Sequence, residues 1–371
     1  MNTSQPEVLF SMSTGYAPLT NLLGAGDPNV HRIDGRWWMF FGAFRTTLRN
    51  NIFAATLAPG EPLHEGMRWR VHTHPSSHRR ALPLVPQPGR AAWDRYGLHE
   101  PSYVEGLSAD GSGRPVRRLY YTGRSSPTSV GNTSPYSIGM LELTPVGWQR
   151  HPRPVLTGTA RNPSALGPKV VYSDGMWRMW FRSTTGEPAK GERPVSEIHY
   201  TESVNGIDAW STPRPFYTRA EGFAHAFVHR TPEGFEMLLS KSPNLFGDDS
   251  YPEQKLWISS SARASGEISD WSTPTPVLDA ESGPAWYRGG FFGSSLCVAD
   301  GCSPDPGERF VFFTGAHTPL NWPRTALRRL CTGKRPPVPA PFYFTIGSVP
   351  ITVGPTPRHK DRGDRLLPAR R

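Results

Sequence analysis

The chain has few of the features that usually identify a protein quickly. Only three cysteines occur in 371 residues, Cys297, Cys302 and Cys331, an odd and sparse set that supplies no disulfide framework. No run approaches the roughly 18 consecutive apolar residues of a membrane-spanning helix. The opening "MNTSQPEVLFSMSTGYAPL" lacks a basic start followed by an apolar stretch, so no secretory signal is read. Apolar residues never hold helical spacing over several turns. A Gly-rich phosphate loop between a strand and a helix is missing, and so is a nucleophile elbow. The histidines of "HTHPSSH" (His72, His74, His78) have no Cys or carboxylate at a recognised ligand spacing. The expectation is a cytoplasmic protein with no metal and no cofactor.

Positive charge is plentiful but badly distributed for nucleic acid. The net charge is +10, yet from Arg324 onward eleven Lys or Arg face two Asp. The preceding body is therefore close to neutral. A nucleic-acid binder shows a basic stripe on its folded surface, whereas here the charge collects in "PTPRHKDRGDRLLPARR", which reads as a flexible tail. The partner expected is a small-molecule substrate, with no nucleic acid and no membrane. The oligomeric state is left open.

What the chain has in quantity is 37 Gly, 40 Pro and 12 Trp, a mixture that suits short strands joined by turns. A repeat emerges. "DPNV…GRWWMFFGAFR" is echoed by "EPSYV…RRLYYTGR", "NPSALGPKVVYSDGMWRMWFRS", "HAFVHRTPEGFEMLLSK" and "SSLCVADG…ERFVFFTGAH". Four copies continue into a third strand and a closer containing Trp69, Trp148, Trp210 or Trp271. Four antiparallel strands repeated radially make a propeller blade, so the fold class is all-β, a five-bladed β-propeller. Residues 1–20 are read as a lead-in, 21–353 as the propeller and 354–371 as a disordered basic tail. The closing tryptophans are expected to pack between blades. "APFYFTIGSVPITV", 340–353, is expected to supply an outer strand of blade five.

Propeller topology then gathers residues at one mouth of the channel. The entries to the first strands are read as Asp27, Glu100, Asn162, the segment from Glu221 to His225, and Ser294. The exits of the second strands carry Arg45, Arg124, Arg182, Lys241 and His317. Acids and bases converging in a concave place can shift one another's pKa into a catalytic range. Trp286 and Tyr287 at the entrance to blade five, with Phe291 and Phe292, would add apolar contact.

On these motifs the chain resembles the five-bladed propeller glycoside hydrolases, the superfamily of family-43 arabinanases and xylosidases and of invertases and levansucrases, over about residues 20 to 320. The resemblance implies Asp27, in Asp27-Pro28, as the blade-one base or nucleophile. The family's blade-three Asp is matched by Asn162 in Arg161-Asn162-Pro163, without its charge. The family's blade-four general acid is matched by Glu221-Gly222, with Glu197 as the substitute. A missing Asp at 162 removes a charge that would raise the acid's pKa. The expected function is therefore acid–base catalysis of a lyase or cyclase type, such as dehydration, conjugate addition or cyclisation of a small oxygenated metabolite in secondary metabolism. Asp27 would be the base and Glu221 or Glu100 the proton donor. Arg45, Arg124, Arg161 and Arg182 would stabilise developing negative charge. A family-43-like glycoside hydrolase is the alternative, and a non-catalytic propeller binding carbohydrate or an anion is the third.

Overall fold

The computed structural model describes residues 5–11, 19–65, 68–127, 135–185, 195–244, 251–298, 308–317, 327, 330–331 and 344–352. The tail read at 354–371 lies outside them. The regular structure of the described chain is almost all strand, in antiparallel sheets that form a five-bladed propeller. The channel strands of blades one to five are Leu22–Ile33, Gly97–Leu107, Ser164–Ser173, Phe223–Thr231 and Phe291–Val298. Each packs beside the next, and the fifth packs beside the first, so the ring closes. The second strands are Arg36–Arg45, Pro115–Arg124, Met176–Thr184, Gly234–Lys241 and Glu308–Ala316. Third strands follow at Asn50–Thr56, Ser137–Thr144, Ser196–Ser203, Lys255–Ser261 and Phe344–Thr352. Blades one to four end in outer strands Arg70–Val71, Gly147–Arg150, Arg214–Tyr217 and Thr275–Asp279.

Each closing-segment tryptophan lies against the preceding blade. Trp148 meets Phe40 of blade one edge-on, Trp210 meets Tyr120 of blade two, and Trp271 meets Trp180 of blade three. Trp69, buried at 1% exposure, meets Phe312 of blade five. Burying such large rings between wedge-shaped sheets supplies apolar area and edge-to-face contacts at each seam. Blade five has Trp286 in a different place. It stacks on Phe313 with centroids 5.4 Å apart, and Tyr287 is packed against Phe291 and Phe313.

The outer strand of blade five comes from the other end of the chain. Glu7–Ser11, inside the segment read as a lead-in, pairs antiparallel with Phe344–Thr352. The two ends of the described chain therefore close one sheet, in which Phe344–Thr352 is covered and Glu7–Ser11 is the outer strand. Leu9 is completely buried there, in a cluster with Leu19, Phe312 and Ile346. Leu9→Ala should cost about 3 kcal/mol of unfolding free energy, the range for a buried leucine deletion. A urea denaturation curve with an unchanged midpoint would contradict a strand that holds the ring shut.

Candidate functional site

The channel strands share one local irregularity that builds the site. In blade one the pairing register jumps between Gly26 and Asn29, in blade two between His99 and Ser102, and in blade three between Leu166 and Lys169. Blade five repeats it between Phe292 and Ser295, and blade four has a one-residue version between Phe223 and His225. The bulged residues Asp27, Glu100, Gly167 and Gly293 have φ of 56°, 51°, 61° and 49°. Three are followed by proline: Pro28, Pro101 and Pro168. Left-handed backbone at a non-glycine residue costs about 1–2 kcal/mol, and such strain collects where a side chain must be aimed.

This register corrects the expectation for blade three. The equivalent of Asp27 and Glu100 is Gly167 in Gly167-Pro168, whereas Asn162-Pro163 precedes the channel strand. Asp27 and Glu100 also lie within their strands instead of before them. The blade-four equivalent is Ala224, next to His225, and the blade-five equivalent is Gly293, next to Ser294. Carboxyl groups therefore occupy the bulge in blades one and two alone among the described blades.

The two acids are buried and interlocked. Asp27 is 7% exposed and Glu100 1%. The Glu100 backbone N–H donates to Asp27 Oδ2 at 3.2 Å, and the Asp27 N–H donates to Thr314 Oγ1 at 2.6 Å. Thr122 donates its hydroxyl to Glu100 Oε2 at 2.6 Å, while the Gly167 N–H donates to that same hydroxyl oxygen at 2.8 Å. Asp27 Oδ1 and Glu100 Oε1 are buried without a hydrogen-bond partner. A side chain at Gly293 would strike Asp27 Oδ1, since its Cβ would lie 2.2 Å away. At Gly167 a Cβ would sit 3.5 Å from Glu100 Oε1, so the missing blade-three side chain leaves the space in front of that oxygen.

Basic groups surround the pair. Lys169, 3% exposed, reaches the Pro101 carbonyl at 3.4 Å and lies over the Phe227 ring. His99 Nδ1 is 3.5 Å from Glu100 Oε2, and His225 Nδ1 is 4.0 Å from Oε1. His225 packs on Phe292, and its Nε2 is buried without a partner. Arg182 is buried close enough to both acids to act on their charge.

These neighbours drive the two carboxyls apart. Burial, then the charge of Glu100, raises Asp27, and Lys169, the Glu100 N–H and Arg182 offset this only in part. Burial opposes ionisation of Glu100 as well, but His99, Arg182, His225 and the Thr122 hydroxyl hold it below its ordinary value. Burial lowers His99 to about 4 and His225 to about 3. Both imidazoles are therefore neutral near pH 7, leaving Arg182 as the fixed cation beside Glu100. Lys169 is itself lowered by burial, against the pull of Glu100 and Asp27. Asp27 is the member that keeps its proton, and Glu100 the one that ionises.

The remaining expected residues divide between the mouth and elsewhere. Arg45 and Arg124 end their second strands at the mouth; Arg124 donates to Asn50 Oδ1 and to the Ser126 and Pro127 carbonyls. His317 follows its strand and pairs with Thr345 Oγ1 at 3.1 Å. Asn162 and Glu197 meet in a separate cluster. Asn162 Nδ2 donates to Glu197 Oε2 at 3.2 Å, which His199 Nε2 also contacts at 2.9 Å, and Arg219 Nε reaches Oε1 at 3.2 Å. Arg161 is exposed at its edge. Glu221 is exposed, and its Oε2 accepts the N–H and hydroxyl of Thr218 at 2.8 and 2.5 Å. It closes the turn into blade four, and its described contacts include neither Asp27 nor Glu100. Trp286 and Tyr287 belong to the packing of blade five. Lys169, Thr122 and Thr314 were not anticipated; Gly167-Pro168, aligned on Asp27-Pro28 and Glu100-Pro101, would have pointed to Lys169.

No family model and no curated protein matches the chain. Solved structures do. An N-acetylgalactosamine deacetylase from F. plautii, in complex with blood group B trisaccharide, superposes with a TM-score of 0.59 at 14% identity, covering 95% of each chain. A thermostable family-43 glycoside hydrolase gives 0.54 at 15%, covering 90% of this chain and 95% of its own. The catalytic domain of a family-62 α-L-arabinofuranosidase from Coprinopsis cinerea gives 0.53 at 14%, covering 94% and 96%. The fold is shared with the propeller glycoside hydrolases. At these identities the likeness concerns architecture, and the site has to be read from its own residues.

The depressed histidines set a pH dependence with a definite sign. A folded-state imidazole pKa below the unfolded value of about 6.5 means that the native protein binds fewer protons between the two. That stabilisation is complete above pH about 6.5 and is lost as pH falls toward the folded values, about 3 for His225 and His31 and about 4 for His99 and His229. Asp27 contributes with the opposite sign, since its folded pKa is raised: its share is present below the unfolded carboxylate pKa and declines as pH rises. Unfolding free energies measured from pH 7 to pH 4.5 should fall steadily, and His225→Asn should flatten the fall. A level profile in the parent protein would mean that these imidazoles are charged in the native state.

Proposed function

We propose that this protein is a propeller glycoside hydrolase whose acid–base pair is Asp27 and Glu100. The observation that carries the reading is the pair itself: two carboxyls aimed into one channel by matching left-handed bulges, with one environment favouring the proton and the other the charge. Glycosidic cleavage requires that combination, one carboxylic acid to protonate the departing oxygen and one carboxylate to activate water or attack carbon. The roles are the reverse of those expected from the motif. Asp27 would deliver the proton through Oδ1, and Glu100 would act through Oε1, the oxygen facing the space left by Gly167. Arg182 and the Thr122 hydroxyl favour the charged form of Glu100. The architecture shared with family-43 and family-62 enzymes supports a carbohydrate substrate.

A second reading keeps the same pair for non-hydrolytic acid–base chemistry on a small oxygenated metabolite. It is favoured by Gly167 and Ala224, which stand at the bulge in blades three and four, where the family resemblance asks for further acids. In that case Lys169 would stabilise an enolate-like charge.

Aryl furanosides and pyranosides with leaving groups of graded acidity separate these possibilities. Glu100→Gln should lower kcat/KM by about 10³-fold for every leaving group, within the range for a lost acid–base residue. Asp27→Asn should do so for poor leaving groups and much less for activated ones, because a good leaving group needs no proton. Equal losses in Asp27→Asn across the series would return Asp27 to the role of base. An unaltered parent enzyme that turns over none of the series would sink the hydrolase reading.

A further inference from the structure

The arginines of this chain are used in two ways. Arg68, Arg114, Arg117, Arg118, Arg150 and Arg178 each lie within ion-pair reach of a carboxylate. At the junction of blades one and two a different group gathers around Asn50 and Tyr96. Arg45 donates to Gln87 Oε1, and Gln87 in turn donates to the Asn50 carbonyl. Arg124 donates to Asn50 Oδ1. Arg49 and Arg95 both lie over the Tyr96 ring, at 5.8 and 5.3 Å from its centre. Arg80, on the hairpin strand Ser77–Ala81, is close enough for its charge to lower Arg45 further, after burial. Among the described residues none of these five guanidiniums has a carboxylate within ion-pair distance.

Five like charges without counter-ions are unfavourable to hold together, and the fold tethers four of them with neutral groups: two side-chain amides, two backbone carbonyls and an aromatic face. Two observations point to a ligand. The Nε atoms of Arg45 and Arg124 are buried without a hydrogen-bond partner, and the Arg124 residue is only 3% exposed. The patch is also continuous with the channel, since Arg45 and Arg124 are the last residues of their second strands, on the two blades that supply Asp27 and Glu100.

We propose that this arginine junction is a subsite for the carboxylate of an acidic saccharide, so that the substrate is a uronate-bearing glycan whose charged residue lies on blades one and two while the adjoining bond reaches the carboxyl pair. The carbohydrate part of this inference rests on the hydrolase reading. The anionic part rests on the patch alone. Guanidinium groups bind carboxylates through paired, charge-assisted hydrogen bonds. Nucleic acid suits the site less well, because base stacking needs an open aromatic face and the Tyr96 ring is engaged by two guanidiniums.

Calorimetric titration with trigalacturonate, maltotriose and a short single-stranded DNA of similar charge tests the proposal. Trigalacturonate should bind, and maltotriose should bind at least tenfold more weakly. The double variant Arg80→Glu, Arg95→Glu, at two exposed positions, should weaken trigalacturonate by about 100-fold, near tenfold for each reversed charge. Raising ionic strength from about 0.05 to about 0.5 M should weaken it as well. Equal affinity for the two trisaccharides, indifference to the double variant, or tighter binding of the oligonucleotide would each overturn the subsite. Binding of trigalacturonate by a protein that cleaves no glycoside would leave the subsite standing and remove the hydrolase reading. Cleavage of neutral glycosides with no acidic preference would do the reverse.

Discussion

The molecule depends on what the channel strands do with backbone groups that their bulges release from the sheet. At three of the irregularities a backbone donor released from its own blade turns to the preceding blade. The Asp27 N–H reaches Thr314 of blade five, the Glu100 N–H reaches Asp27 of blade one, and the Gly167 N–H reaches Thr122 of blade two. Below them the Tyr103 N–H finds Asn29 Oδ1 and the Val170 N–H finds Ser102 Oγ. A buried amide without a partner costs about 1–3 kcal/mol, so these side chains are required where they stand. The ring is joined near its axis by directed bonds and farther out by the tryptophan seams.

This arrangement gives an acid in the bulge a structural part and, under the proposed function, a chemical one. Asp27 Oδ2 accepts a backbone hydrogen bond from the neighbouring blade, and its partner oxygen Oδ1 is left over. Glu100 divides its oxygens in the same way, with Oε2 on Thr122 and Oε1 facing the space before Gly167. One oxygen of each group fixes the carboxyl and the other is left without a hydrogen-bond partner, the one through which the proposed reaction would run. Fixing costs no further reorganisation when charge moves, which is the condition for effective electrostatic catalysis. The same tight packing desolvates both acids, and only one can then remain charged. Arg182 favours the charge on Glu100, because it stays cationic at a pH where His99 and His225 have lost their protons.

Much of this was legible in the sequence, for a physical reason. Blades repeat because each must present an apolar face to two neighbours, and a period of two with a large aromatic closer is the simplest pattern that does so. Asp27-Pro28 and Glu100-Pro101 stood out because proline after an acid limits the backbone. Blade three was misaligned because Asn162-Pro163 imitates that motif chemically, while the position that performs the turn is Gly167-Pro168. Conformation selects glycine there as readily as an acid, and polarity was the wrong guide. Lys169 was missed for the same reason, two residues farther on. Glu221 misled in the opposite direction, since Glu-Gly before an apolar strand also suits a turn in which the carboxylate accepts from Thr218. The strand Glu7–Ser11 gave no local signal, because its partner lies more than 300 residues away in the chain.

The bulges also bear on how such a site can change its chemistry without losing its fold. The inter-blade hydrogen bonds use the backbone of the bulged residue and one side-chain oxygen at most, so blades three and five keep the geometry with Gly167 and Gly293. An acid can therefore be lost from one blade and kept in another while the ring remains closed. In this chain the carboxyls stand on blades one and two, beside the arginine junction, and the space is on the side of blade three. A ligand whose charged end faces the arginines must then enter over blades one and two and extend toward Gly167. Under the proposed function, chemistry and recognition would be arranged around the ring by which bulge carries a side chain, and the backbone that makes the bulge is indifferent to the choice.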